Sequence, residues 1–307
     1  MRAPTKELCV VHLVRAHNGI DPFKRFLESY QANPGGIEHD LLFVFKGFAQ
    51  PRDTAEYLEL LAPIRYATFQ VSDEGFDITA YFSVVKRYSE QYRYFCFLNS
   101  YSIILDRDWL KKLHENICKP GVGLAGATGS WGNQNRYQNI FELPTVVPQK
   151  KKRPLYKALL LPLVIFTLRL RQAIRDMPIR ISVRISFDPF PSCHIRTNAF
   201  MISGELMKTL KRPSMKTKMD AYRFESGRKG LTSQILAMGK RVIVVGKDGR
   251  GYEKEEWRES RTFWRYEQEN LLIADNQTRD YQEGSSERRR YLSDFAWGET
   301  DGGSGIG

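Results

Sequence analysis

Four apolar runs in the first hundred residues, each followed by a stretch with helical spacing, leave this chain few folds to choose from. They are LCVVHLV at 8–14, HDLLFVFKGF at 39–48, IRYATFQV at 64–71 and YRYFCFLN at 92–99. Runs that are apolar at nearly every position fit strands buried on both faces, as in a parallel sheet covered by its crossover helices. The intervening segments supply those helices. DPFKRFLESY places Phe23, Phe26, Leu27 and Tyr30 on one face behind Asp21 and Pro22, and TAEYLELLAP and ITAYFSVVKRYSEQ follow in the same manner. The pattern predicts an α/β domain with a mostly parallel sheet, on which ligands bind at the carboxyl ends of the strands.

The second half is less regular. DWLKKLHENI reads as a helix, GVGLAGATGSW as a strand entering a glycine-rich loop, HIRTNAFMISGELMKTL as a strand and helix, FESGRKGLTSQILAMG as a loop and helix, and KRVIVVGKDG as a strand. The expected organisation is one domain over 1–281, with halves at 7–105 and 106–281, an insertion at 150–185 and a mobile polar tail at 282–307.

Charge singles out the insertion. Between Lys150 and Asp188 stand ten basic residues against two acidic ones, so this stretch carries eight of the twelve net positive charges. Within it, LYKALLLPLVIFTLRLRQAIR has an apolar run of about ten residues with cations on both sides. A bilayer span needs about 20 apolar residues. A shorter apolar segment with basic flanks fits a membrane surface, where cations meet anionic headgroups; a core helix with solvated ends is the other reading. Nucleic acid is disfavoured because aromatic residues are not interleaved with the charges. The four cysteines, Cys9, Cys96, Cys118 and Cys193, lie far apart without a C-x-x-C spacing, which points to reduced, mainly buried thiols in a cytoplasmic protein. The N-terminal stretch MRAPTKELCVVHLVRA is interrupted by His12 and Arg15 and does not read as a signal peptide.

Several motifs carry chemistry only in the right context. Gly121-Val122-Gly123-Leu124-Ala125-Gly126 matches G-x-G-x-x-G but precedes no helix, so it reads as a helix stop running into a strand. Asp106-Arg107-Asp108 stands before a helical pattern and reads as its cap. The strand end at Asn99-Ser100-Tyr101 offers one amide and two hydroxyls, a poor set for a hard cation, which favours carboxylate oxygen. It is therefore expected to hydrogen-bond a ligand; no metal ligand is assigned, with Mn²⁺ or Mg²⁺ left as an alternative. Glu225, in a loop flanked by Arg223, Arg228 and Lys229, suits either a general base or an ion-paired helix start. His194, Arg196 and Asn198 alternate along one side of a strand, as an anion-facing wall or a wet edge would. Asp275 and Asn276 begin a polar loop that could close over a ligand or simply turn.

Taken in order, LCVVHLVRAHNG, DPFKRFLESY, HDLLFVFKGF, DEGFDITAYF, FLNSYSII, HIRTNAFMIS and FESGRKG resemble bacterial glycosyltransferases of the GT-A fold, a Rossmann-type sheet, including the family 2-like, rhamnan-synthesis type of surface-polysaccharide enzyme. The resemblance covers roughly 7–280. It implies a nucleotide-sugar donor, a glycan or lipid-linked acceptor, and a place on the inner face of the cytoplasmic membrane. Asn99-Ser100-Tyr101 stands where that family keeps Asp-x-Asp, so the metal motif is degenerate here. Glu225 falls where inverting members keep a catalytic carboxylate. Arg15, His194 and Arg196, with Arg223 behind them, would neutralise the leaving diphosphate. Asp77, Asn99, Ser100, Tyr101 and Asn198 would hold the donor, and Asp275 and Asn276 would support the loop. Two other functions stay open: a GT-A-like protein that binds a sugar nucleotide or glycan without turnover, and a nucleotidyltransferase, whose chemistry needs carboxylate-held metal.

Overall fold

A computed structural model describes residues 5–135, 177–212 and 214–298; most of the 150–185 insertion, including its apolar run, lies outside the described residues. The first half alternates as its apolar runs dictate: β1 (Lys6–Arg15), α1 (Asp21–Ala32), β2 (Asp40–Lys46), α2 (Ala55–Leu61), β3 (Ala67–Val71), α3 (Asp77–Tyr88) and β4 (Tyr92–Leu98). Then come β5 (Ile103–Ile104), α4 (Trp109–Ile117), β6 (Val122–Gly126), β7 (Gly129–Ser130), helix α5 at 177–186, β8 (His194–Ile195), β9 (Ala199–Ser203) and α6 (Gly204–Thr209). The chain continues through α7 (Lys218–Ser226), α8 (Leu231–Ala237), β10 (Arg241–Val245), β11 (Gly251–Tyr252), β12 (Ile273–Ala274), α9 (Asn276–Glu283) and α10 (Ser286–Trp297).

Eight strands form one sheet in the order β11-β10-β6-β9-β4-β1-β2-β3. β1 to β4 run parallel to one another, as do β6 and β10, while β9 runs antiparallel between β4 and β6, and β11 antiparallel at the edge. This is the mixed, mostly parallel α/β sheet that the apolar runs predict. β1 is flanked by β2 on one side and β4 on the other, so the connections diverge at its carboxyl end and open the crevice where ligands of such sheets bind. Register places Arg15 beside Lys46 there.

Alternation along β1 splits the core in two. Cys9, Val11 and Leu13 join the face covered by α3, α7, α8 and α10, whereas Leu8, Val10 and Val14 join the face covered by α1, α2 and α4. His12 belongs to the second face. It is buried, stacks on Phe26 with ring centroids 3.6 Å apart, and neither ring nitrogen has a hydrogen-bond partner among the described residues. Burial pushes its pKa down to about 3, against about 6.5 in an unfolded chain. The unfolded state therefore binds a proton that the folded state refuses, so stability is complete above about pH 6.5 and is lost as the pH falls toward 3. We expect His12→Phe to remove about 2 kcal/mol of the loss between pH 6.5 and 4.5, read as a flatter pH dependence of the urea midpoint.

Three local expectations change. The segment holding Glu225 is helical, because Thr217 and Asp220 form a capping box that starts α7 at Lys218 and carries it to Ser226. The polar stretch from 282 is not a free tail through 297: Leu292, Ala296 and Trp297 are buried, and the Trp297 indole donates to the Phe263 carbonyl at 2.8 Å. A few apolar residues at helical spacing suffice to dock α10, although the segment's average composition is polar. Asp106 and Asp108 do not cap α4 with their side chains. The N–H groups of Asp108 and Lys111 instead donate to the carbonyls of Pro34 and Gly35, and Asp106 pairs with Lys112. Of the cysteines, all free, Cys9 and Cys96 are buried, Cys193 is half-buried and Cys118 is exposed.

Candidate functional site

The carboxyl ends of β1 and β2 present two cations to the loop that precedes α3. Arg15 lies 3.5 Å from Asp73 and 3.7 Å from Asp77. Lys46, whose side chain is fully buried, donates to the carbonyls of Ser72 at 3.1 Å and Glu74 at 2.8 Å and stands 3.8 Å from Asp73. Burial lowers the Lys46 pKa, with Asp73 opposing it; burial raises that of Asp77, with Arg15 and Lys46 opposing it and Glu225 adding to it. Gly75 completes the turn at φ +64, where a Cβ would strike Thr79. Sequence reading finds Arg15 and Asp77 and misses Lys46, which looks like an ordinary strand-end lysine until the loop folds over it. Because a hydrogen bond to a charged group contributes about 1.5–3 kcal/mol, Lys46→Met is expected to speed amide exchange over 72–75 about tenfold or more. Exchange mass spectrometry reads the change directly.

Across the crevice, the end of β4 is tied inward. Asn99 Oδ1 accepts from the Tyr101 N–H at 3.0 Å and the Ser102 hydroxyl at 3.1 Å, and Ser100 Oγ accepts from Asn18 at 2.9 Å, bridging β4 to the turn after β1. The Asn99 oxygen and the Ser100 hydroxyl thus already serve the protein, and no carboxylate stands among residues 99–101. This donor set does not fit a divalent cation. Among the described residues, Glu7, His114 and Cys118 bring metal-ligating atoms within 4.8 Å of one another, but at the amino end of β1, far from this crevice. The cation that does reach the strand end comes from α9: Arg279 donates to the Tyr101 carbonyl at 3.4 Å.

β8 and the turn before β9 bring His194, Arg196 and Asn198 together, all buried. His194 Nδ1 is 3.1 Å from the Ser192 carbonyl, which makes Nδ1 the donor, and Nε2 takes no partner among the described residues; burial lowers the ring's pKa, with Glu225 opposing, so the ring is neutral at neutral pH. Arg196 is committed elsewhere. Its guanidinium bonds Asp275 at 2.8 Å in an ion pair whose side chains are 7% and 1% exposed, and it stacks over Phe263 at 4.2 Å. Asp275 caps α9 through the Thr278 N–H at 2.9 Å. Asn198 accepts from the Thr128 hydroxyl at 2.7 Å, while its Nδ2 is buried without a partner among the described residues. Arg223 faces away from Glu225 and bonds Asp220, Ser182 and Ser186. Asn276 is exposed at the start of α9.

Glu225 projects from the last turn of α7 into a cavity of about 390 Å³ that it shares with His194, Phe263, Trp264, Arg288 and Tyr291. Both the N–H of Thr197, at 2.9 Å, and its hydroxyl donate to Oε2. Oε1 takes no hydrogen bond from the described residues. The carboxylate is thus oriented through one oxygen and offers the other. Arg288, which closes the cavity from α10, donates to Asp280 at 2.8 Å. Sequence reading missed Thr197, Trp264 and Arg288, the last because it lies in the segment read as a free tail.

No family model matches the chain, and no curated protein matches it. Among solved structures it is similar to the mannosyltransferase PcManGT from Pyrobaculum calidifontis in complex with GDP-Man and Mn²⁺, at TM-score 0.43 and 14% identity, over 85% of this chain and 62% of that one. It is similar to S. aureus TarS 1-349 at TM-score 0.38 and 10% identity, over 71% and 54% of the two chains. The same protein in complex with UDP-GlcNAc gives TM-score 0.31 and 14% identity, over 39% and 33%. The chain spans less than two thirds of the length of each of these proteins, and the likeness concerns the course of the chain alone.

Proposed function

We propose that this chain is a glycosyltransferase that moves a sugar from a nucleotide-sugar donor to a hydroxyl of a glycan or lipid-linked acceptor, with inversion and without a bound metal. The observation that carries the reading is Glu225, held through Oε2 by Thr197, with Oε1 left bare by the described residues in a cavity lined by aromatic rings. Rings of that kind suit the apolar faces of a sugar, and a fixed carboxylate suits a general base. The donor's base and ribose belong in the crevice between β1 and β4, near Arg15, Asp77 and Asn99. As the acceptor oxygen attacks the anomeric carbon, its proton passes to Glu225 Oε1 and the bond to the diphosphate oxygen breaks. Arg15 and Arg279 meet the charge that develops on the leaving group, a stabilisation that is often the largest catalytic term. Work on surface polysaccharide at the cytoplasmic face of a membrane is the setting that fits this reading.

A second reading, binding of the same donor without turnover, is favoured by the strand end at Asn99-Ser100-Tyr101, which has no carboxylate. Melting curves with UDP, GDP, dTDP and CMP, each with EDTA and with Mn²⁺, test the donor site. One nucleotide at about a hundred times its Kd is expected to raise Tm by roughly 4 °C in EDTA. A rise that requires Mn²⁺ overturns metal independence, and no rise with any nucleotide overturns the donor site.

A further inference from the structure

The large apolar side chains left exposed are not scattered. Among the described residues there are seven, and five of them, Met177, Ile179, Ile181, Ile185 and Met238, lie on α5 and the end of α8. Ile185 is 68% exposed, more than any other of the seven. It joins two depressions: one along α5, lined by Met177, Pro178 and Ile181, and one of about 780 Å³ reaching Ala237 and Met238. α5 is held in this attitude from beneath. Val183 is buried, Ser182 and Ser186 accept from Arg223, and the Ser186 carbonyl accepts from the Arg228 N–H at 2.9 Å.

The rim of this apolar surface is cationic. Lys211, Arg212 and Lys229 line the larger depression, no carboxylate does, and Arg180 and Arg184 extend the charge along α5. No Asp or Glu among the described residues forms an ion pair with any of these five, whereas Arg223 and Arg228 are answered by Asp220 and Asp188. Aliphatic side chains ringed by unanswered cations match the boundary of an anionic bilayer, which takes apolar groups about 5–10 Å deep while phosphates meet the cations. Aromatic anchors, which mark protein interfaces and single-stranded nucleic-acid platforms, do not line either depression. No helix of the described residues is long and apolar enough to cross a membrane, so the contact is at the surface.

We infer that α5 and the adjoining ends of α6, α7 and α8 form a docking surface for anionic phospholipid, with Ile181 and Ile185 entering the bilayer boundary and Lys211, Arg212 and Lys229 on its phosphates. The inference needs no step of the transfer reaction, and vesicle binding is read without donor or acceptor.

The experiment is sedimentation of the full chain with phosphatidylcholine vesicles, with and without phosphatidylglycerol. The chain is expected to pellet only with the anionic vesicles and to be released at about 1 M salt, where the Debye length is about 3 Å. Each cation near such a surface is worth about a fivefold change in partition, so Lys211→Gln with Lys229→Gln should weaken it about 25-fold. Ile181→Asp with Ile185→Asp should keep the chain in the supernatant at an unchanged Tm, which shows that it still folds. Wild-type chain that ignores anionic vesicles, or an aspartate variant that pellets as wild type does, overturns the inference. So does a sedimentation mass of two chains that the aspartate variant reduces to one, since a second copy would then be what covers the patch.

Discussion

Glu225→Gln is expected to lower the rate of sugar transfer about 10²- to 10⁴-fold, the range over which a positioned general base acts. The substitution tests charge and little else. Thr197 donates to Oε2 through both its N–H and its hydroxyl, and a glutamine carbonyl oxygen can accept the same pair. The side chain should therefore keep its place while losing the ability to take a proton. Nucleotide binding, read by the same melting shift, should stay within about threefold of wild type, because the donor crevice between β1 and β4 does not use Glu225. Equal transfer by Glu225→Gln and wild type would remove the carboxylate from the mechanism. Binding that survives alongside wild-type protein inactive toward every donor and acceptor pair would instead favour the reading without turnover.

Arg196→Met is expected to destabilise the protein by about 3–5 kcal/mol, because it strands Asp275 as an unpaired buried carboxylate. For a chain of 307 residues that is a fall in Tm of roughly 5–8 °C. The damage should be local as well as global. Asp275 caps α9, and α9 with α10 walls the cavity that receives Glu225, so the loss should appear first as exchange and proteolysis over 276–297. Removing both partners, Arg196→Met with Asp275→Leu, should recover part of the stability, since no buried charge remains, although the α9 cap is still lost. A single variant that melts as wild type does would show that Asp275 finds water or another donor. The pair also revises the sequence expectation for Arg196: a guanidinium held between Asp275 and the Phe263 ring organises the wall of the site and is not free to meet a diphosphate.

The strand and helix order of the first hundred residues is legible because burial on both faces demands near-continuous apolar runs, and β1, α1 and β4 fall where LCVVHLV, DPFKRFLESY and YRYFCFLN place them. Arg15, Asp77 and Asn99 share one edge of the sheet for the same reason: Arg15 ends β1, Asn99 follows β4 and Asp77 opens α3, and a parallel sheet collects strand ends and helix starts there. GVGLAG was readable too: β6 runs through Gly123 and Gly126, and at Gly126 a Cβ would overlap Ile195.

The rest depended on contacts between segments distant in sequence. Glu225 acquires an orientation only because Thr197, 28 positions earlier, reaches it across the turn before β9. Lys46 matters because the loop at 72–75 folds onto it, and Arg279 and Arg288 because a polar stretch docks through Leu292, Ala296 and Trp297. Local sequence determined the periodicity of each element, and with it the class of sheet, since hydrophobic pattern acts within a few residues. Which polar groups became partners, and which carboxylate oxygen was left bare, was decided by tertiary structure, because a buried donor must find its acceptor wherever the fold brings one within about 3 Å.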